Sequence, residues 1–389
     1  MSERLPEGWK WVRLGEVCEK ITDGTHHTPH YVKEGIPFLS VKNVRETGLD
    51  FENVQYIREE EHKELIKRCY PQRGDVLYTK VGTTGIAKAV DTDREFSIFV
   101  SVALLRPERT KIIPEYLERV LNSPICKEQA KALTQGVGNQ NLVIKDLKQI
   151  EFPLPPLPEQ KRIATKLQEL MQEVERARTA CEKQLEAVKA LPSAYLREVF
   201  ESEEAKKWER KKLGEVCMFR KGKKPRKIYE ELGKGYLPYI LIESFNGAYQ
   251  KFTDDESCPK CTKEDVLLVW DGARAGLCTI GLEGCIGSTI CALRSNHDLY
   301  PEYLFWFIRS HYKDLNNMVR GTGIPHLEKD YVYSLDVPLP PLREQRRIAT
   351  YLKEKMAYVE KLKVSIEKQL EAINALSQAI LRKAFRGEL

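Results

Sequence analysis

The sequence predicts an α+β fold: two variable domains with curved β-sheets and flanking helices, separated by two long antiparallel coiled-coil helices, as a pseudo-two-fold internal repeat. Three observations predict it. One segment recurs 185 residues later almost unchanged, its apolar residues follow a period of seven, and strand-like segments lie outside it. A chain of 389 residues accommodates two to three domains.

The internal repeat is the strongest signal in the chain. Residues 152–169 and 337–354 are identical at 13 of 18 positions, at an offset of 185. The motif EKQLEA recurs at the same offset, whereas weaker matches in the preceding segments have offsets that drift between 187 and 201. The predicted division therefore alternates variable and fixed segments, at residues 1–151, 152–203, 204–336 and 337–389.

The fixed segments are predicted to be long helices of about 45 residues each. Proline cannot continue a helix interior, so Pro158 and Arg343 mark the approximate starts, and the change between them should shift the second start slightly. Apolar residues alternate in steps of four and three, which is the seam of a left-handed coiled coil. The seam residues are Leu167, Met171, Val174, Cys181, Leu185, Val188, Tyr195 and Val199, then Leu352, Met356, Val359, Ile366, Leu370, Ile373, Ile380 and Ala384.

Each seam needs a partner, and the other copy of the repeat is the simplest one. The chain enters each helix from one variable domain and leaves the first helix into the next domain, which favours an antiparallel pair. The alternative is that each helix recruits a coiled coil of another protein.

The variable domains are predicted to be α+β. Residues 36–41, 75–81 and 265–270 are short apolar runs with β-branched and aromatic residues, which is typical of strands. Residues 114–122 and 301–310 are predicted helices that proline opens at the first position.

Two matched pairs of glycine-containing loops are candidates for DNA contact. In residues 80–85 and 271–276, backbone amides can approach phosphate, and the candidate side chains are Lys80, Thr83, Thr84 and Arg274. In residues 135–141 and 320–326, amide groups suit bidentate pairing with adenine, and the candidates are Asn139, Gln140, Asn141, Arg320, Thr322 and His326. Thr25 and His26, in the loop DGTHHTP, complete this set. The alternative is that these glycines only form turns.

The strongest electrostatic feature is a basic segment. Residues 206–227 contain eleven Lys or Arg and two acidic residues, within a chain whose net charge of +6 permits nucleic-acid binding without requiring it. A compact loop at its end suits several phosphate contacts. Its candidates are Lys221, Lys223, Lys224, Arg226 and Lys227. The alternative is an ordinary solvated surface.

Metal binding and catalysis find little support in the sequence. The three histidines of residues 23–30 and the CxxC at residues 258–261 raise zinc as an alternative, but neither has a second ligand group at a recognisable spacing. The ten cysteines are expected to be free thiols, and no P-loop, dinucleotide or metalloprotease motif occurs. We therefore expect no metal and no catalytic residue. No apolar run reaches about 18 residues, and we expect a cytoplasmic protein.

Together these motifs resemble the specificity subunit (HsdS) of type I restriction-modification systems, over essentially the whole chain. The resemblance is carried by LPEGW at residues 5–9, RLGEVC at 13–18, DGTHHTP at 23–29, the two PLPPLxEQxRIA segments and the final AILRKAFRGEL. It implies two target-recognition domains that each recognise half of a split, asymmetric DNA site. It also implies that the duplicated helices set the gap between the halves and dock two methyltransferase subunits.

The resemblance further implies which groups belong to partners. S-adenosylmethionine, ATP and magnesium are expected only on the methyltransferase and the restriction/translocase subunits, and this chain would be non-catalytic. By position, the expected partner-binding residues lie where the helices begin. They are Glu159, Gln160, Arg162, Ile163, Glu344, Gln345, Arg347 and Ile348. Two other function classes compete: a coiled-coil adaptor whose variable domains bind proteins, and a self-sufficient methyltransferase or nuclease.

Overall fold

The structure, a computed structural model, describes residues 5–134, 141–317 and 325–389. The chain divides into two compact units. Unit 1 consists of Met1–Glu182 and Lys368–Leu389, and unit 2 consists of Lys183–Glu367. Each unit therefore combines one variable domain with part of both long helices.

Unit 1 contains the described strands and short helices of the first variable domain. Its strands are β1 (Lys10–Arg13), β2 (Cys18–Asp23), β3 (Ile36–Leu39), β4 (Val44–Arg45), β5 (Gly48–Leu49), β6 (Gln55–Ile57), β7 (Val76–Thr79), β8 (Ala87–Ala89), β9 (Ser97–Ile98), β10 (Val102–Pro107) and β11 (Glu151–Leu154). Its short helices are α1 (Glu59–Ile66), α2 (Pro114–Leu121), α3 (Pro124–Leu133) and α4 (Ile144–Leu147), with 3₁₀ turns at Leu14–Glu16 and Val41–Asn43.

Unit 2 contains similar elements in a similar order, but its described residues include no counterpart of α1. Its strands are β12 (Arg210–Lys212), β13 (Cys217–Lys221), β14 (Leu237–Ile240), β15 (Phe252–Thr253), β16 (Lys260–Cys261), β17 (Val266–Val269), β18 (Cys278–Thr279), β19 (Gly284–Ile286), β20 (Ile290–Ser295) and β21 (Asp336–Pro338). Its short helices are α6 (Leu213–Val216), α7 (Pro301–Ser310), α8 (Tyr312–Asn317) and α9 (Lys329–Tyr333), with 3₁₀ turns at Ala205–Lys207 and Ile242–Asn246.

The main sheets of the two units have the same topology. The strand order is β2-β10-β7-β8 in unit 1 and β13-β20-β17-β18 in unit 2, with all neighbours antiparallel. A second sheet contains one parallel pair, β3 with β9 or β14 with β19. The predicted strands and the two proline-initiated helices are confirmed, and the predicted α+β class is confirmed with them.

The two long helices begin and end at equivalent places. α5 is Leu157–Phe200 and α10 is Leu342–Arg386, so both start one residue before the predicted positions. The expected shift caused by Arg343 is therefore wrong: Leu157 and Leu342 keep the offset of 185, because Pro158 lies in the first turn, where a helix tolerates proline. α5 also continues through Pro192. Every residue of the predicted seam is buried or half-buried, which confirms the seven-residue pattern.

Inside each unit the two helices run antiparallel. In unit 1, Arg162 donates to the backbone carbonyl of Leu389 at 2.7 Å, and the Cys181 thiol lies 3.8 Å from the side-chain oxygen of Gln369. In unit 2, the Tyr351 hydroxyl donates to Glu198 at 3.3 Å. The start of one helix therefore packs against the end of the other, as predicted.

Each domain core is completed by the end of the other domain's helix. In unit 1 the ring of Phe385 packs edge-on against buried Tyr116, with centroids 5.5 Å apart. In unit 2 Phe200 packs against buried Tyr303 at 5.4 Å. The two tyrosine hydroxyls donate to the carbonyls of Pro153 and Pro338, at 2.7 and 2.8 Å, which ties each proline run to its core. Burial in these apolar cores raises the pKa of both tyrosines.

Candidate nucleic-acid interface

In unit 1, the start of the predicted loop 80–85 lies beside the last residue of the predicted loop 135–141. β7 leads into residues 80–85, and Val81 forms an isolated antiparallel bridge with Asn141. The Lys80 carbonyl accepts a hydrogen bond from the Leu142 amide at 2.8 Å. Gly82 has a φ of 76°, a left-handed conformation that favours glycine and that lets the chain turn back after the strand.

Unit 2 has the same arrangement at equivalent residues. Asp271 forms an isolated antiparallel bridge with His326, and the Trp270 carbonyl accepts from the Leu327 amide at 2.9 Å. Gly272 has a φ of 103°. The matched glycines predict both loops, but their adjacency depends on tertiary pairing and appears only in the structure.

A third loop starts at the same edge of each main sheet. β2 and β7 both run antiparallel to β10, so their carboxyl ends lie at one edge, and β13 and β17 are arranged around β20 in the same way. Gly24 and Gly222 follow these strands at places where a Cβ would lie 1.9 and 2.1 Å from a backbone oxygen. Only glycine fits there, so the loop that begins with Thr25 and the basic loop leave the sheet at equivalent points.

In both units an ion pair joins the last residue of β2 or β13 to the segment that follows β7 or β17, and the charges are reversed between the units. In unit 1 the acid is on β2: Asp23 lies 3.3 Å from the ammonium of Lys80. In unit 2 the base is on β13: Lys221 lies 2.6 Å from the carboxylate of Asp271. Asp23 and Lys221 are equivalent, because they pair with Ala103 and Cys291, which in turn pair with Tyr78 and Leu268.

The two pairs also differ in depth. The side chains of Lys80 and Asp23 are 5% and 8% exposed, whereas those of Lys221 and Asp271 are 42% and 27% exposed. The Lys221 ammonium also lies 5.6 Å from the centre of the Trp270 ring, a cation–π contact. The prediction that Lys80 contacts phosphate or bases is corrected here, since its ammonium is buried in an ion pair.

Most other DNA candidates lie at the surface. Those that are exposed or half-exposed are Thr25, His26, Thr83, Thr84, Asn141, Lys221, Lys223, Lys224, Arg226, Lys227, Arg274 and His326. The predictions for Asn139, Gln140, Arg320 and Thr322 fall outside the described residues.

The basic loop of unit 2, residues 221–227, is hydrogen-bonded to an acidic turn at residues 254–257. The backbone amide of Arg226 donates to Asp255 at 2.9 Å, and the Lys223 ammonium donates to the Ser257 hydroxyl at 3.1 Å. Hydrogen bonds from Ser257 and from the Arg226 amide lower the pKa of Asp255 to about 2. The loop backbone is therefore fixed, and the cationic residues of the loop are exposed.

At the starts of the long helices the predicted partner residues divide into two groups. Glu159 with Arg162 and Glu344 with Arg347 form equivalent surface ion pairs, at 2.8 and 2.6 Å. Hydrogen bonds from the arginines lower the pKa of both carboxylates.

Gln160, Ile163, Gln345 and Ile348 are instead buried, and the prediction that they contact a partner is corrected. The amide of Gln160 bonds the Ile113 amide and two backbone carbonyls, including that of Lys111 at 2.8 Å. Gln345 makes the equivalent three bonds in unit 2. Gln160, Ile163 and Leu167 share one helical stripe, so the spacing already contained a signal for burial.

The alternative sites leave little trace in the part of the chain that the structure describes. No group of three or more His, Cys, Asp or Glu there is arranged to hold a metal ion. All ten cysteines are free thiols, seven of them buried. None of the described helices is long and apolar enough to cross a membrane.

The chain is similar to known proteins over most of its length. The family described as "Type I restriction modification DNA specificity domain" matches residues 6–186 and 205–372. The MjaVIII specificity subunit of Methanocaldococcus jannaschii is 32% identical over 183 residues, which cover 46% of this chain and 42% of that subunit. The putative MjaX specificity subunit of the same organism is 25% identical over 411 residues, covering 99% of this chain and 94% of that one. A chain of a type I R-M system, solved to explain complex assembly and conformational transition, aligns with a TM-score of 0.79 and 25% identity, over 99% of this chain and 100% of that one.

Proposed function

We propose that each variable domain recognises one half of a bipartite, asymmetric DNA site, because the chain belongs to the type I restriction-modification DNA specificity family. The role of that family is recognition of DNA and not catalysis. Recognition of two unlike sequences suits two domains that share a topology but not their surface side chains. Base pairs between the halves would be left uncontacted.

One observation carries this proposal. In both units, two loops leave one edge of the same four-stranded sheet, after β2 and β7 or after β13 and β17, with equivalent glycines and equivalent backbone bridges to Asn141 or His326. The side chains on these loops differ completely, from Thr25 and His26 in unit 1 to Lys223 and Lys224 in unit 2. A conserved backbone with divergent polar side chains is what two readers of different sequences require.

The exposed candidates divide into two chemical roles. The lysines and arginines of the basic loop, together with Arg274, would bind phosphates and fix the position of the domain on the duplex. Asn141 and His326, which occupy equivalent bridge positions, and the threonines of residues 83–84 are suited to base edges or to phosphate oxygens. The same holds for Thr25 and His26.

The long helices would set the gap between the half-sites and dock two methyltransferase subunits. Support comes from the repeat itself, which places the Glu159–Arg162 and Glu344–Arg347 pairs at equivalent surface positions for two identical partners. S-adenosylmethionine would be held by those methyltransferase subunits, and ATP and magnesium by restriction/translocase subunits of the full complex. We place the assembly in the cytoplasm, where genomic DNA is available.

The test is a domain exchange in the full chain bound to its methyltransferase subunits. Residues 204–336 are replaced by the same segment of a relative with a different specificity, and methylated adenines are mapped by sequencing. We expect one half-site to change while the other half-site and the gap stay as they were. The reciprocal exchange of residues 1–151 should alter only the other half-site.

Change of both halves by one exchange would contradict the proposal, because it would mean that the domains do not act separately. A protein-binding adaptor makes a different prediction. Its complex would show absent or salt-insensitive binding to duplex DNA, whereas phosphate contacts make DNA binding fall steeply with salt.

A further inference from the structure

The first domain contains an inserted segment that the second lacks. The offset between matched residues falls from 201 at Pro37 and Pro238 to 190 at Asp75 and Asp265. In unit 1 this stretch contains β4, β5, β6 and α1, whereas in unit 2 it contains the 3₁₀ turn Ile242–Asn246, β15 and β16, without a counterpart of α1. Any recognition residue on this insertion would therefore act in the first domain alone.

The insertion is anchored at both ends, so that its backbone has a defined place. Buried His62 on α1 bonds the Ser97 hydroxyl at 2.8 Å, which ties the helix to β9. After the helix, the Lys20 ammonium donates to the Arg68 carbonyl at 2.7 Å, and Arg106 donates to the Tyr70 carbonyl at 2.9 Å. The backbone of Arg68 is thus fixed against β2 and β10.

The side chain of Arg68 reaches the edge at which the loops begin. Its guanidinium donates to Asp23 at 2.6 Å, and it stays 57% exposed while the Asp23 side chain is 8% exposed. His26 shares the same carboxylate oxygen at 3.3 Å, and Lys80 approaches the other oxygen at 3.3 Å from inside the domain. A buried carboxylate therefore holds an exposed arginine beside the loops of the first domain.

We propose that Arg68 is a specificity-determining residue of the first domain, contacting a guanine through the guanidinium N–H groups that Asp23 does not use. This rests on the proposed function. Arginine is the commonest partner of guanine O6 and N7, and a guanidinium already fixed by a carboxylate loses less conformational freedom on binding. Lys80 acts as a positioning residue, since it fixes Asp23 from below.

The experiment uses the full chain with its methyltransferase subunits and a library of randomised duplex DNA. The preferred sequence of the native complex is determined first, and then those of Arg68→Ala and Arg68→Lys. Arg73→Ala is the matched control, because Arg73 is similarly exposed, at 54%, and forms an ion pair with exposed Asp93. Thermal melting of each variant checks that it is folded.

We expect Arg68→Ala to reduce the preference at one base pair of one half-site by roughly 10-fold or more, with the other half-site unchanged. Arg68→Lys should lose the same preference, because an ammonium lacks the planar fork that fits guanine. Arg73→Ala should keep the native profile. Lys80→Met should weaken the same single preference, a change that a merely structural role would not confine to one base pair.

Other outcomes would overturn the inference. A uniform loss of affinity over all sequences, with a shallower salt dependence, would make Arg68 a phosphate contact. An unchanged profile in Arg68→Ala would remove it from the interface. If the native complex selects no sequence, the proposed function itself fails, and this inference fails with it.

Discussion

In both variable domains an ion pair joins the same two segments, but the signs of the two charges are reversed. Where β2 and β13 end, the first domain has an acid, Asp23, and the second a base, Lys221, and each is paired with the opposite charge from the next loop. The pair is buried in the first domain and partly exposed in the second. The fold therefore requires that the two loops be tied together, but leaves the sign, depth and surface charge free to vary.

The surface cations differ accordingly. The second domain carries them on its basic loop, directly after β13, whereas the first presents Arg68 from its inserted segment. Buried residues show the contrary trend: Gln160 and Gln345 make the same three hydrogen bonds in both domains. The buried core is thus the same in both domains, whereas the charged residues at the loop edge of the sheet differ. This pattern is expected if the two domains recognise different DNA sequences.

The largest effect should follow from lengthening the spacer between the domains. Seven residues added after Glu182 and after Glu367, the same place in both copies, preserve the seven-residue seam and lengthen each helix by ~10 Å. We expect a gap longer by about three base pairs, given ~3.4 Å per base pair, with both half-sites unchanged. Mapping of methylated adenines measures the gap. An altered half-site with the original gap would contradict the proposal that the helices set the gap and the domains recognise the half-sites.

A smaller effect should separate the two ion pairs. Asp23→Asn leaves buried Lys80 without its counter-charge, so we expect the free energy of unfolding to fall by about 3 kcal/mol. Asp271→Asn leaves Lys221 near the surface, and the cost should be below about 1 kcal/mol. Thermal and denaturant unfolding compare them. Equal losses would show that the difference in depth has no energetic consequence.

The smallest effect should come from the basic loop. Lys224→Ala combined with Lys227→Ala should weaken binding to all DNA sequences alike, and should lower the slope of log affinity against log salt by about 2, close to 0.9 per lost phosphate contact. Lys166→Ala, on α5, is the control and should leave the slope unchanged. A change in preferred sequence would instead make these lysines base contacts.

The sequence predicted the repeated elements better than the interface. The period of seven and the prolines at residues 114 and 301 define the helices locally, and the structure confirms them. Burial could not be predicted for Lys80, because its partner Asp23 lies on a distant strand. The sequence gives no signal for Arg68 for the same reason: only tertiary pairing brings it to Asp23. Gln160 is buried, not at a partner surface, and its helical stripe with Ile163 and Leu167 already indicates the core.

We propose that one scaffold, used twice, recognises two different half-sites at a fixed separation. The most direct measurement is the genome-wide map of methylated adenines in cells that contain the native complex. Two unlike specific sequences separated by a constant number of unspecified base pairs are the predicted result. A continuous motif, or two identical halves related by a dyad, would contradict it.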